Sequence, residues 1–263
     1  MHHSSFWPDE GVDVKGKSVA VIGTGASGVQ ISQEWGPEAG TLTLFQRTPN
    51  LAVPMGKKPL TKEEQQGAKR HYDRLFPLRE QCFGGFFYTI ADKKARSDSA
   101  EEREAFYRKL WDHGGFGFWL GNYSDMLIDE DANRLAYDFW AKNQRKRIKN
   151  PVKRDLLCPL EPPHPFGVKR PCLEQNYYEV LDQDNVEIVD LNKTPIKEFV
   201  AEGIVTTDGK LRKFDVIAIA TGFDIVTGMC PRMNPISYSL RSISSVVGRP
   251  ILRGIETRVR KFP

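Results

Sequence analysis

Gly23, Gly25 and Gly28 form the pattern G-x-G-x-x-G, and of all features in this sequence it most directly predicts a ligand-binding site. They follow a short run of β-branched residues, and apolar residues recur behind them at helical spacing, so the context is strand, turn and helix. In such a turn the first glycine permits the sharp bend, the second lets the backbone approach a pyrophosphate, and the third lets the helix pack against the strand. The free N–H groups at the start of the helix attract phosphate. The predicted dinucleotide-binding residues of this turn are Gly23, Thr24, Gly25, Ala26, Ser27, Gly28, Val29 and Gln30. The alternative is a glycine-rich turn without a ligand.

Arg47 indicates which dinucleotide this turn would bind. A second apolar run over residues 41–45 is typical of the next parallel strand, and Gln46, Arg47 and Thr48 follow it. A site for NAD usually carries an acidic residue at this place, where it accepts a hydrogen bond from the ribose 2′-hydroxyl. An arginine suits a 2′-phosphate, because its guanidinium is planar, permanently charged and bidentate. We therefore predict NADP(H) as the ligand. The alternative is that Arg47 is only a solvated residue at a strand end.

Lys169 and Arg170 are the second candidate site. They are adjacent cations in a proline-rich, otherwise apolar loop over residues 165–171, and Tyr177 and Tyr178 follow in a predicted helix. Two cations in such a loop either bind an anion or are plain surface residues. The residues alone leave both interpretations open.

The elements that position these residues predict an α/β fold. It comprises a Rossmann-like NADPH-binding domain, an inserted helical subdomain and an irregular C-terminal tail. The predicted boundaries are a linker remnant at 1–15, the nucleotide-binding domain at 16–60 and 155–228, the helical insertion at 61–154, and the irregular, poorly ordered tail at 229–263. An antiparallel meander from residue 196 leads into a buried strand at 215–220.

Three stretches of the insertion have more than one interpretation. The aromatic-rich segments 82–87 and 114–119 either form the wall of a substrate pocket or pack between helices. The basic run 142–149 is either a nuclear-import or phosphate-binding patch or, as such runs more often are, the solvated face of a helix, which Asn150 and Pro151 would close. At the other end of the chain, His2 and His3 by themselves favour a tag remnant or a disordered end.

Composition narrows the class of protein. The 263 residues are 40% hydrophobic, enough for a sizeable core, and the net charge of +4 is spread along the chain, which does not favour nucleic acid as a partner. The four cysteines lack the spacing of a metal site, so we expect no metal and reduced thiols. No run approaches the ~18 apolar residues of a membrane span, so we expect a cytoplasmic protein without a membrane partner. The oligomeric state stays open.

The motifs in order resemble a known family. His3, Trp7 and Pro8, ahead of the glycine turn, are similar to the second half of the fingerprint F-x-G-x-x-x-H-[TS]-x-x-W-P of the flavin-dependent Baeyer–Villiger monooxygenases, the class B flavoprotein monooxygenases. The segments Gln46-Arg-Thr-Pro49, Gly167-Val-Lys-Arg170 and Ala220-Thr-Gly222 resemble further motifs of that family, in the family's order. The resemblance covers roughly residues 3–228. An earlier glycine turn for FAD is missing, so we expect a fragment that lacks the N-terminal FAD domain.

This resemblance implies an FAD- and NADPH-dependent monooxygenase that uses O2 to convert a small-molecule ketone into an ester or lactone. It also implies that Arg170 is the catalytic residue, which stabilises the flavin peroxide and the negatively charged intermediate. Lys169 would contact the NADP 2′-phosphate alongside Arg47 and Thr48. We expect the chain to be inactive by itself. Two alternatives stay open: a flavin-free NADPH-binding module or non-catalytic fragment, and an N- or S-oxygenating flavin monooxygenase.

Overall fold

The computed structural model of this protein describes residues 1–82 and 85–222. The predicted tail at 229–263, with Cys230, lies outside the described residues, and so do Phe83 and Gly84 of the aromatic segment 82–87. The strands are β1 (His2–His3), β2 (Ser18–Ile22), β3 (Thr41–Gln46), β4 (Val53–Pro54), β5 (Leu173–Glu174), β6 (Val186–Asp190), β7 (Ile196–Val200), β8 (Gly203–Thr206), β9 (Leu211–Lys213) and β10 (Val216–Ile219). The helices are α1 (Ala26–Trp35), α2 (Lys62–Lys69), α3 (Tyr72–Glu80), α4 (Ala100–His113), α5 (Gly117–Leu120), α6 (Glu130–Arg145), α7 (Pro151–Leu157) and α8 (Tyr177–Leu181).

A five-stranded parallel sheet in the order β1-β10-β2-β3-β6 organises the fold. Its central strands β2 and β3 are buried along almost their whole length, because both of their faces are covered. Val19 and Val21 of β2 point into a core shared with α1. Ala20 and Ile22 point into a second core beneath β8. The α/β class and the parallel sheet predicted from the sequence are confirmed.

The predicted meander is an antiparallel sheet in the order β7-β8-β9. It packs through Ile204 on the second core and leads directly into β10. β10 pairs in parallel with β2, with Val216 opposite Val19 and Ile219 opposite Ile22. The chain therefore returns to the centre of the parallel sheet beside the glycine turn.

The helices between β4 and β5 differ in how they pack. None of the residues of α2 and α3 is buried. By contrast, α4, α5 and α6 share an aromatic core in which Tyr107, Phe118 and Phe139 lie within 5.2–5.4 Å of one another, centroid to centroid. On α6, Trp140 Nε1 donates to the Ala52 carbonyl at 2.8 Å. This bond fastens the helix to the segment that follows β3.

The structure corrects the interpretation of the basic run 142–149. The helix α6 ends at Arg145, and Asn150 is the N-cap of α7, with Pro151 in its first turn. Asn150 and Pro151 therefore start a helix, whereas the sequence pattern predicts that they close one. Arg147 is not a solvated residue either, because its Nη1 lies 2.6 Å from Oε1 of Glu174, whose side chain is fully buried. The charge pattern missed this pair because its partner is distant in the sequence.

The N-terminal residues are a second correction. His2 and His3 form β1, which pairs in parallel with Ala218 and Ile219 of β10. The Ser4 N–H also donates to the Ile219 carbonyl at 3.0 Å. The interpretation as a tag remnant or a disordered end is therefore wrong, because the backbone groups of these residues extend the sheet.

In the described part of the chain, no helix combines the length and the apolar character that crossing a membrane requires.

Candidate functional site

The three glycines of the turn meet three different surroundings. Gly23 has a φ of +107°, and a Cβ on it would lie 2.5 Å from the carbonyl oxygen of Ala220. A Cβ on Gly28 would lie 2.1 Å from the carbonyl oxygen of Gly23. A Cβ on Gly25 would meet no atom within 4 Å. Gly23 and Gly28 therefore allow the strand and the helix to approach closely, and Gly25 leaves its backbone open to a ligand.

The start of α1 has the electrostatics of an anion site. Gly25 is the N-cap residue, no side chain caps the helix, and its first turn holds no acidic residue. The first N–H groups of the helix keep their hydrogen-bonding capacity, and the helix dipole adds partial positive charge. A phosphate placed at Gly25 would satisfy both.

Hydrogen bonds join this turn to the loop that follows β3. Thr24 donates its hydroxyl to the Thr48 carbonyl at 2.6 Å, and Asn50 Nδ2 donates to the Thr24 carbonyl at 2.8 Å. On the far side, Asn192 Nδ2 donates to the Arg47 carbonyl at 2.5 Å. The backbone that carries Arg47 is thus held on both sides while its side chain stays exposed.

A single cleft of about 550 Å³ brings together most of the predicted residues. Of these, Gly23, Thr24, Gly25, Ala26, Arg47, Thr48, Lys169 and Arg170 line it. Its other lining residues are Ile22, Phe45, Pro49, Asn50, Leu51, His164, Pro171, Cys172, Leu191, Ala220, Thr221 and Gly222. Among the described residues that line this cleft, none is acidic, whereas three are basic: Arg47, Lys169 and Arg170. The cleft is therefore suited to a polyanion.

Four predicted residues do not line this cleft. Gly28 and Val29 are buried in packing, Ser27 is half-buried, and Gln30 is exposed on α1. They belong to the helix that the turn leads into. The sequence motif extends along this helix, but only its first residues face the cleft.

Asn50, His164 and Cys172 line the cleft and were not predicted from the sequence. The Cys172 thiol is buried and accepts a hydrogen bond from Asn50 Nδ2 at 3.0 Å. Burial raises the pKa of this thiol, so it stays neutral. The only sequence signal for these residues was a neighbouring proline in a loop, because Asn50 follows Pro49, Cys172 follows Pro171 and His164 lies between Pro163 and Pro165.

The Lys169–Arg170 loop meets the helical insertion on one side of the cleft. The Arg170 guanidinium lies 5.0 Å from the centroid of the Phe116 ring, and the Phe116 ring meets Trp119 edge to face at 5.6 Å. Within the segment 114–119, Phe118 instead packs in the aromatic core of the helices. The packing interpretation of that segment is therefore confirmed for Phe118, and its interpretation as the wall of a substrate pocket stays a prediction.

No family model matches this chain. It is 47% identical over 243 residues to the FAD-binding monooxygenase acrE of Aspergillus aculeatus. The aligned region covers 92% of this chain and 40% of that relative. It is also 47% identical over 227 residues to cyclopentanone 1,2-monooxygenase of a Comamonas species. That aligned region covers 86% of this chain and 41% of the relative. A crystal structure of OTEMO in complex with FAD and NADP is 39% identical and superposes with a TM-score of 0.85, covering 93% of this chain and 46% of that one.

These comparisons confirm the family resemblance of the motifs. The chain spans about two fifths of the length of the curated relatives that it matches. Over that span, this chain is a homologue of the Baeyer–Villiger and other FAD-binding monooxygenases.

Proposed function

We propose that this chain supplies the NADPH site of an FAD- and NADPH-dependent monooxygenase of the Baeyer–Villiger type, which uses O2 to convert a ketone into an ester or lactone. The relatives support the reaction class through their names, as monooxygenases of cyclic ketones among others. The observation that carries the proposal is the grouping of Arg47, Lys169 and Arg170 with the open glycine turn around one cleft.

The residues present fit NADP. The space beside Gly25 and the uncapped start of α1 suit the pyrophosphate. Arg47, at the end of the neighbouring strand, suits the 2′-phosphate, with Thr48 beside it and Lys169 on the opposite loop. FAD has no 2′-phosphate, so this cationic cleft is assigned to NADP. No residue of the chain is assigned to FAD.

When bound, NADPH supplies a hydride and FAD supplies the oxygen chemistry of the reaction. The chain's own contribution is binding and electrostatics. Arg170 is the proposed catalytic residue, because a guanidinium is a positively charged hydrogen-bond donor that would stabilise negative charge as it develops on the substrate. Phe116 limits the positions of that guanidinium through a cation–π contact.

Arg47→Ala tests the assignment of the nucleotide. We expect the Kd for NADPH to rise by about 10- to 100-fold, since a charge-assisted contact to phosphate is lost, and the Kd for NADH to change little. Titration of the nucleotide fluorescence measures both constants. Arg96→Ala is the control, because this exposed arginine pairs with Asp131 away from the cleft. Equal losses for the two nucleotides would refute the role of Arg47.

A flavin-free NADPH-binding module is the second candidate, because the described residues contain one glycine turn and its cleft suits NADP. The visible spectrum of the purified chain separates the two. Stoichiometric FAD would exclude the module, whereas a colourless protein that binds NADPH would support it. An N- or S-oxygenating enzyme is separated by product analysis on ketones and amines, with a protein that spans the full length of the relatives.

We also propose a cytoplasmic location. The support is that Cys82, Cys158 and Cys172 are free thiols in the described part of the chain, as expected in a reducing compartment. Cell fractionation with an antibody to the chain tests it, and recovery in a membrane or secreted fraction would contradict it.

A further inference from the structure

The loop that carries Lys169 and Arg170 is held at both ends. Downstream, the Val53 N–H donates to the Cys172 carbonyl at 2.8 Å, within the pairing of β4 and β5. Upstream, the loop is held at Phe166 and Gly167, and there the partners come from the helical insertion. The two cations lie in the short, exposed span between these attachments.

Asn133 of α6 is the first of the upstream partners. Its Oδ1 accepts from the Phe166 N–H at 2.7 Å, and its Nδ2 donates to the Phe166 carbonyl at 2.9 Å and to the Met126 carbonyl at 2.8 Å. The side chain is 7% exposed and Phe166 is fully buried. One side-chain amide thus pairs with both backbone groups of one residue, which sets the direction in which the loop leaves the core.

Trp119 of α5 is the second partner. Its Nε1 donates to the Gly167 carbonyl at 3.1 Å. Gly167 has a φ of +82°, and a Cβ there would lie 2.8 Å from two atoms of the indole ring. The ring therefore packs directly against the turn two residues before Lys169. Phe116, in contact with Trp119, lies against the guanidinium of Arg170.

We propose that Asn133 and Trp119 are positioning residues for the Lys169–Arg170 pair, so that the helical insertion sets how strongly the cleft binds the 2′-phosphate of NADP. Neither side chain lines the cleft. Both act through the backbone of residues 166–167. A displacement of the order of 1 Å in a charged group is enough to change binding and rate substantially. The inference rests on the proposed function, since it requires NADPH in this cleft.

A double-mutant cycle on the 263-residue chain tests this proposal. The Kd for NADPH is measured for the unsubstituted chain, for Asn133→Ala and for Trp119→Phe, which keeps an aromatic ring but removes the N–H donor. The same substitutions are then made in a Lys169→Ala/Arg170→Ala background. We expect Asn133→Ala to raise the Kd on the order of tenfold and Trp119→Phe about threefold when the cations are present. Without the cations, we expect changes below about twofold.

Asn143→Ala is the matched control. Asn143 lies on the same helix, is 9% exposed, and binds Arg108 and the Phe139 carbonyl rather than the loop. It should destabilise α6 without changing the Kd for NADPH. Thermal unfolding of each variant reports the loss of stability separately. If Asn133→Ala does not fold, Trp119→Phe still decides the test.

The outcomes distinguish the two proposals. If the unsubstituted chain binds NADPH and the substitutions weaken binding equally with and without the cations, the positioning role is refuted while the NADPH site stands. The positioning role is also refuted, and the NADPH site again stands, if Asn143→Ala weakens NADPH binding as much as Asn133→Ala does. If the unsubstituted chain binds no NADPH, the proposed function fails, and this inference fails with it.

Discussion

Gly25 and Gly28 lie in one motif, but their missing side chains have different consequences. Gly28 has no room for a Cβ, because the Gly23 carbonyl oxygen would lie 2.1 Å from it. Gly25 has an ordinary φ of −70° and open space where a Cβ would be. Gly28 is thus required by the fold, and Gly25 by the proposed ligand.

Alanine at these two positions should separate stability from binding. We expect Gly28→Ala to lower the free energy of unfolding by several kcal/mol, since backbone must move to admit the methyl group. Gly25→Ala should leave the stability within about 1 kcal/mol and raise the Kd for NADPH at least tenfold, because its methyl group occupies the approach of the pyrophosphate. Urea unfolding and NADPH titration measure the two effects. Unchanged NADPH binding in Gly25→Ala would contradict the assignment of the turn.

Two helices of the insertion begin with the same capping box but differ in packing. At α2, Thr61 and Glu64 cap each other's backbone N–H groups, and at α4, Ser99 and Glu102 do the same. No residue of α2 is buried, whereas α4 buries Tyr107 in the aromatic core. A cap stabilises the whole protein only when its helix is part of the cooperative core.

We therefore expect Ser99→Ala to lower the free energy of unfolding by about 1 kcal/mol, and Thr61→Ala to leave it unchanged. Circular dichroism in a urea titration measures the unfolding. Hydrogen exchange should show that Thr61→Ala increases local opening of α2 alone. Equal losses of global stability for the two variants would contradict this difference between the helices.

Glu187 of β6 joins the parallel sheet to the antiparallel one. Its Oε1 lies 2.9 Å from Nη2 of Arg212, on β9, and 3.1 Å from Nζ of Lys210. The hydrogen bond from Arg212, with that from Lys210, lowers the pKa of Glu187 below its ordinary value. The ionised carboxylate is therefore favoured in the folded state.

The lowered pKa predicts a pH-dependent contribution to stability. The contribution is complete above the pKa of the unfolded chain, about 4.3, and is lost as the pH falls through the lower pKa of the folded state. Glu187→Gln should cost less than about 1 kcal/mol at pH 7, because the carboxylate is 44% exposed, and the difference from the unsubstituted chain should vanish in acid. Urea midpoints from pH 7 to pH 3 measure this. Glu198→Gln is the control, since its nitrogen–oxygen distance to Lys197 is 3.9 Å. A difference that stays constant with pH would contradict the prediction.

At the scale of the whole molecule, the insertion and the nucleotide-binding domain share one core. Trp140 binds the backbone after β3, and Arg147 pairs with the buried Glu174 of β5. Removing one member of such a buried pair leaves an uncompensated charge. The insertion and the domain into which it is inserted are therefore expected to unfold together.

Binding of NADPH should stabilise this unit. At a free concentration of 100 times its Kd, NADPH should raise the free energy of unfolding by about 2.7 kcal/mol. For a protein of this size, that corresponds to a rise in Tm of about 5–10 °C. NADH at the same concentration should give a smaller rise. Added salt should reduce the difference between the two nucleotides, because it screens the exposed Arg47 and Lys169. Calorimetric scans at low and high salt measure it. An equal rise with both nucleotides would contradict the proposed 2′-phosphate site.

Local sequence patterns were enough for the central strands, the glycine turn and the meander. They depend on periods of two or 3.6 residues and on turn residues that are neighbours in the chain. The placement of helix ends was less predictable. Asn150 and Pro151 serve equally well before a helix and after one, and only the packing of α7 decided between the two.

The sequence by itself determined the kind of chemistry. The glycine spacing, the arginine after the second strand and the adjacent cations at Lys169 and Arg170 predict a polyanion site, because the charge and conformational freedom of a residue are intrinsic to its type. Only the tertiary structure decided which of these residues face one cleft and what holds them there. Asn133 meets Phe166, and Arg147 meets Glu174, across 33 and 27 residues of chain. Such pairs leave no periodic signal, since their contact depends on how separate elements pack.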